Sequence, residues 1–324
     1  MHTNYIMMNI GLDLMGGDLA PKEAVLGALA YFQEFADSHL VLIGNEDACK
    51  EYLPSLDAYS GRYTFVHAPQ VIEMNEHPTK ALKEKQQSSI AMGFGMLKAG
   101  KIDAFLSAGN TGAMLVGAMY TVAPIEGVLR PTIASLVPRE DEGYNLLLDV
   151  GANADCKPEH LNQFAVLGAL YAEYVLGIKQ PEVGLLNLGE EEGKGNILCQ
   201  ATYPLLKENT AINFIGNIEG RDIFGERARV AVCEGFTGNI VLKMAESVYD
   251  LFKKRDKIHD PLLERFNYEQ YGGVPILGIN APVMIGHGIS NAIAFKAMIR
   301  SAEKVISTGL IDAMKKHFQV VKEA

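Results

Sequence analysis

The sequence predicts a doubly wound α/β protein, and three observations predict it. At least five short β-rich apolar runs end in clusters of glycine, asparagine or aspartate, and the segments between them carry helical periodicity. Neither a repeat of fixed period nor a low-complexity linker interrupts this alternation, so one sheet edge collects the polar turns. The chain of 324 residues is long enough to bury a large core, and it is read as a single α/β catalytic domain over 1–324. Its net charge of −10 argues against general affinity for nucleic acid or anionic lipid.

Taken in order, Ile10 to Leu14 reads as a strand, followed by the turn Met15-Gly16-Gly17-Asp18 and a helix entered near Pro21. Asp13 and Asp18 are candidates for positioning a substrate, and Asp18 is equally a candidate helix cap. Leu40 to Gly44 and Tyr63 to Ala68 are strand runs buried on both faces, and Thr79 to Ala99 reads as one long helix. The stretch Ser107-Ala108-Gly109-Asn110-Thr111-Gly112-Ala113 joins a buried strand to an apolar helix. Its glycines allow close approach of a ligand to the backbone, and its short polar side chains stand where a helix presents unpaired N–H groups. The same pattern also serves an ordinary capped βα connection.

Further along, Tyr144 to Val150 is a strand that delivers Asp149, Gly151 and Asn153 to the carboxyl edge, where open α/β sheets place binding groups. Pro158 to Leu176 is helical, and Val183 to Gly189 leads into three glutamates and Lys194, which is flanked by glycines. Two more strands end at Gly216 to Asp222 and Gly235 to Asn239. Lys253 to Tyr271 is the most polar and irregular stretch, suited to an arm, a lid or a solvated insertion. Ile276 to Ile285 reads as strand-like, and Gly286-His287-Gly288 opens a last helix, Asn291 to Ile306. His287, set between glycines at a helix entrance, is a better chemical candidate than His2, His39 or His317.

Cys49, Cys156, Cys199 and Cys233 show neither CxxC pairing nor metal-ligand grouping, which suits a reducing cytoplasm and no metal. Met1 to Met8 lacks the pattern of a signal peptide, and the longest apolar run, Ala113 to Ile125, is too short to span a bilayer. No Walker pattern, complete dinucleotide fingerprint, GxSxG elbow or HExxH motif is present. The residues alone therefore lead to an α/β enzyme with a polar, glycine-lined cleft for an anionic ligand, and no further.

Seven motifs in order carry a resemblance. Asp13-Leu14-Met15-Gly16-Gly17-Asp18, Ser107 to Ala113, Asp149-Val150-Gly151-Ala152-Asn153, Asn187 to Glu191 with Lys194-Gly195, Gly216 to Asp222, Gly235-Phe236-Thr237-Gly238-Asn239 and His287-Gly288 together resemble the bacterial acyl-acyl-carrier-protein:phosphate acyltransferases of phospholipid synthesis. That resemblance implies an isocitrate/isopropylmalate-dehydrogenase-like α/β/α sandwich with a helical arm at about 244–273, homodimeric, without a cofactor. It implies attack of inorganic phosphate on the thioester of acyl-acyl carrier protein, with the acyl phosphate passed to a glycerol-3-phosphate acyltransferase.

On this basis Asn110, Lys194 and His287 are the catalytic candidates, and Ser107, Gly109, Thr111, Gly112, Asn153, Gly238 and Asn239 are the phosphate- and substrate-binding ones. Asp13, Asp18 and Asp149 are further candidates. The carrier protein is acidic, so a local basic patch is expected at Lys253, Lys254, Arg255 and Lys257 or at Lys80, Lys83 and Lys85. The family's arm implies peripheral membrane contact, whereas 244–273 here is short and charged, which leaves that contact weak and the protein cytoplasmic. Three rivals compete: a short-chain enzyme using acyl-coenzyme A, a nicotinamide-dependent decarboxylating dehydrogenase, and a scaffold that binds carrier protein.

Overall fold

A computed structural model describes residues 7–256 and 260–323. In chain order the first elements are β1 (Met8–Asp13), α1 (Lys22–Glu34), β2 (Ser38–Gly44), α2 (Glu46–Cys49), β3 (Tyr63–His67), α3 (Pro78–Glu84), α4 (Ser89–Lys98), β4 (Ala104–Ser107) and α5 (Thr111–Gly117). There follow β5 (Thr132–Pro138), β6 (Tyr144–Leu148), α6 (Pro158–Tyr174), β7 (Glu182–Leu186), α7 (Ile197–Glu208), β8 (Asn213–Ile218), β9 (Val230–Val232), α8 (Gly235–Asp256) and α9 (Pro261–Glu264). The last are β10 (Val274–Leu277), β11 (Val283–Ile285), α10 (Ala292–Ser307) and α11 (Leu310–Glu323).

The chain divides into two compact units, 1–123 with 268–307 and 124–267 with 308–324. In the first unit the strands lie in the order β3-β2-β1-β4-β11-β10, parallel except for β10. Strand alternation sorts its core into layers. Ile10, Leu12, Leu40, Leu42, Ala104 and Leu106 pack with α1 and α10, whereas Gly11 and Phe105 face the other way. There Phe105 meets Phe94 of α4 edge-on, with ring centroids 5.1 Å apart, and Gly93 leaves the room for its ring. The result is the doubly wound α/β/α layering. Between α1 and α10 the buried Glu303 carboxylate accepts from Tyr31 Oη at 2.5 Å and Ser38 Oγ at 2.6 Å. Burial and that carboxylate push the Tyr31 phenol up to about 12.

In the second unit the order is β5-β6-β9-β7-β8, parallel except for β5. Helix α6 presents Gly168 to Val230 and Leu148, so it lies close on β9 and β6. Among the described residues no helix is long and apolar enough to cross a membrane.

Four local expectations are corrected. The predicted helix 79–99 is two helices, because Ser88 Oγ accepts from the Ala91 N–H and starts α4 afresh, while the Lys85 ammonium donates to the Val71 carbonyl and draws the first helix to a stop. The run Ile276 to Ile285 is two short antiparallel strands, β10 and β11, with the turn through Gly278 between them. The helix after His287 is not the last, since α11 follows a break at Thr308 and Gly309. Asp18 does not cap α1, which begins at Lys22 beyond Pro21.

Candidate active site

In the first unit, β1, β4 and β11 are parallel neighbours, so their carboxyl ends bring three turns together: 13–18, 107–112 and 286–288. Ser107 Oγ donates to Asp13 Oδ2 at 2.6 Å and accepts from the Gly109 N–H at 2.9 Å. The other Asp13 oxygen accepts from the Met15 N–H at 2.8 Å. Burial raises the Asp13 carboxyl above its ordinary value, against the hydrogen bonds from Ser107, Ser89, Met15 and Gly16. Gly16 and Gly109 touch backbone to backbone: a Cβ on Gly16 would lie 2.5 Å from the Gly109 nitrogen. The Ser107 carbonyl accepts from the Gly286 N–H, and the Gly288 carbonyl accepts from the Asp18 N–H.

Asn110 is 5% exposed and its amide is fully committed. Oδ1 accepts from the Ala113 N–H at 2.9 Å, which caps α5, and Nδ2 donates to the carbonyls of Glu73, Met74 and Glu76 at 3.0, 3.2 and 3.0 Å. This geometry makes Asn110 the pin that holds residues 73–76 against the turn. Thr111 is exposed at the first position of α5, where the N–H groups have no acceptor within the helix. Gly112 faces Pro78, whose ring leaves no room for a side chain. His287 is half-buried just past β11, its Nδ1 3.5 Å from the Ile289 nitrogen. Asp18 is exposed beside Gly288.

In the second unit the parallel neighbours β6 and β9 place 149–153 and 234–239 side by side. Asp149 is fully buried: Oδ1 accepts from Ile133 N at 3.0 Å and Ala152 N at 3.1 Å, and Oδ2 from Asn153 N at 2.6 Å and Asn153 Nδ2 at 2.9 Å. Asn153 also donates to the Pro131 carbonyl at 2.8 Å, and its own carbonyl accepts from the Gly235 N–H. Gly238 is required here, because a Cβ would stand 1.9 Å from the Asp149 carbonyl oxygen. Glu234 accepts from the Thr237 N–H at 2.9 Å at the start of α8. Asn239, one residue after the close contact, is exposed and faces Gly151. Lys194 is exposed in the turn after β7, where its carbonyl is held by Asn187 Nδ2 at 3.1 Å.

The predicted residues thus gather into two clusters, one per unit: Asp13, Asp18, Ser107, Gly109, Asn110, Thr111, Gly112 and His287 in the first, and Asp149, Asn153, Gly238 and Asn239 in the second. Lys194 stands on a separate turn of the second unit. Sequence reasoning missed the carbonyls of residues 73–76 and Ser89, whose contacts are distant in sequence and leave no local pattern. Of the basic patches, Lys85 is tied to Glu76 at 2.6 Å and Lys253 to Glu264 at 3.4 Å, while Lys80 and Lys83 are exposed. Lys257 and the side chains of Lys254 and Arg255 lie outside the described residues. Among the described residues no group of three or more His, Cys, Asp or Glu is placed to hold a metal ion.

Residues 8–313 match the family described as fatty acid synthesis protein. A phosphate acyltransferase from Dictyoglomus turgidum is 44% identical over 317 residues, 92% of this chain and 94% of that protein. One from Desulforamulus reducens is 43% identical over 330 residues, 97% and 98% of the two chains. Among solved structures, a phosphotransacetylase from Streptococcus pyogenes superposes with a TM-score of 0.65 at 17% identity, covering 92% of this chain and 94% of that one. A branched-chain phosphotransacylase from Enterococcus faecalis gives 0.61 at 14% identity, covering 93% and 99%. These two likenesses concern the fold, and it is the expected doubly wound one. With its seven turn motifs at the strand ends and relatives matched along nearly their whole length, the chain belongs to the phosphate acyltransferase family.

Proposed function

We propose that this protein transfers a fatty acyl group from acyl-acyl carrier protein to inorganic phosphate, and that the acyl phosphate feeds phospholipid synthesis. The observation that carries the reading is the 44% identity to a phosphate acyltransferase over 92% of the chain. The geometry supports it. Phosphate is already a nucleophile, so the protein needs to hold it, orient the thioester and stabilise the oxyanion. The first turn of α5 offers the Thr111 and Gly112 N–H groups, which have no acceptor within the helix, and the Thr111 hydroxyl.

Within this reading Ser107 and Asn110 position that turn through Asp13 and residues 73–76, and Thr111 touches phosphate. His287 donates towards the departing thiolate, which needs little protonation. Lys194 adds positive charge, while Asp149 and Asn153 shape the turn that presents Asn239 to the acyl phosphate. The working form is a cytoplasmic homodimer, with a glycerol-3-phosphate acyltransferase as the consumer of the product. Its membrane contact is weak and peripheral, and Lys80 and Lys83 form the carrier-protein patch.

The test is release of carrier thiol from a long-chain acyl-acyl carrier protein, with and without phosphate, beside the same chain on coenzyme A. Phosphate-dependent release with preference for carrier protein is expected. Release that ignores phosphate contradicts acyl transfer to it, and preference for coenzyme A contradicts the donor.

A further inference from the structure

A cavity of about 400 Å³ opens in the second unit between α8, the single helical turn Gly220–Phe224 that follows β8, and α9. Among the described residues no charged side chain lines it; its walls are made by Ile223, Phe224, Val241, Ala245, Val248 and Phe266. Phe224 and Phe266 meet with ring centroids 5.5 Å apart. Tyr249 also lines it, and its hydroxyl is occupied by Lys253 and by Glu264 at 3.2 Å. At the rim Met244 is 68% exposed.

The cavity lies on the face of α8 that also carries Gly238. Gly238, which packs on the Asp149 carbonyl, is followed at helical spacing by Val241, Ala245 and Val248, positions i+3, i+7 and i+10. The same α8 therefore presents polar glycine-turn groups at its start and an uncharged trough from its second turn onward. The trough also begins beside Gly220, just past the carboxyl end of β8, the edge that carries the other turns. Its volume is that of a small-molecule site, whereas a docked helix is roughly 10–12 Å across.

We infer that this groove takes the alkyl chain of the acyl donor, with Val241 and Ala245 as its floor and Met244 at its mouth. The inference rests on the fatty acyl thioester reading above. It makes the residues of α8 beyond Asn239 determinants of chain length: each methylene that enters the groove raises kcat/KM about fourfold until its end is reached.

Two experiments on the full-length protein test it together. One is equilibrium titration with a fluorescent polyene fatty acid, and the other is the ratio of kcat/KM for long over short saturated donors. Ala245→Phe fills the floor, and Met244→Glu sets a charge at the mouth on a side chain already in solvent. Both variants are expected to weaken probe binding and to lower the long-to-short ratio roughly tenfold or more. Should Ala245→Phe not fold, Met244→Glu decides alone. Absent probe binding by the wild type, or an unmoved ratio in a folded variant, overturns the groove. So does a change of molar mass by light scattering with the ratio intact, which would make this face a contact between two copies of the chain. Probe binding that Met244→Glu weakens, in a protein that transfers no acyl group from any donor, would uphold the groove and reject the activity.

Discussion

Asp13 in the first unit and Asp149 in the second are both fully buried aspartates at the end of a central strand, yet their oxygens are used differently. Asp13 reaches across to Ser107 on the neighbouring β4 and ties two strand ends together. Asp149 curls back on its own turn, taking Ala152 N, Asn153 N and Asn153 Nδ2, with Ile133 N from the adjacent β5. In neither unit does the carboxylate face outward to a ligand. Asp13 and Asp149, which look chemical in the sequence, are internal fixings of the glycine turns, and the exposed polar groups beside them are Thr111 and Asn239.

The largest effect is expected from removing the second fixing. Asp149→Ala strands three backbone N–H groups, of Ile133, Ala152 and Asn153, and is predicted to destabilise the protein by about 4 kcal/mol or more, against about 2–3 kcal/mol for Asp13→Ala, where two of the donors are the Ser107 and Ser89 hydroxyls, which can rotate to other acceptors. Urea unfolding of both variants measures the difference, and equal losses would break the contrast. Next, Gly238→Ala drives a methyl into the Asp149 carbonyl and should cost about 2–3 kcal/mol. Gly109→Ala meets its nearest neighbour, Ser107 Oγ, at 3.0 Å and should cost about 1 kcal/mol.

A third pair separates positioning from contact. Asn110→Ala removes a helix cap and the pin on residues 73–76, so thermal unfolding should shift along with activity, by about 1–2 kcal/mol. Asn239→Ala, on an exposed side chain, should leave stability within about 0.5 kcal/mol while lowering kcat/KM by roughly tenfold. If Asn239→Ala destabilises and Asn110→Ala does not, the assignment of roles is reversed.

The smallest effect is a matter of pH. The Asp13 carboxyl is raised in the folded chain, so the folded state takes up its proton before the unfolded state does. Its contribution to stability is fully present below the unfolded value of 3.8 and is lost as pH rises through the folded value. The stability difference between wild type and Asp13→Asn should therefore shift in favour of wild type on acidification. A difference that is flat across that range would show that Asp13 is not held in this way.

Much of this was legible in the residues. Strand runs such as Leu40 to Gly44 announce themselves by composition, and the turn glycines by their place after each strand. The fold class and the turns followed from those local signals. What local pattern does not carry are contacts between distant segments. The pin from Asn110 to residues 73–76 and the reach of Asp13 to Ser107 depend on partners far along the chain. The flanking glycines of Lys194 are plain in the sequence, but its exposure to solvent is not.

The measurement that tests the central claim most directly is phosphorus NMR of the reaction of wild-type protein with long-chain acyl-acyl carrier protein and inorganic phosphate. An acyl phosphate resonance growing in step with released carrier thiol is the predicted result. Thiol release accompanied by free fatty acid alone, at the same rate with phosphate omitted, would contradict it.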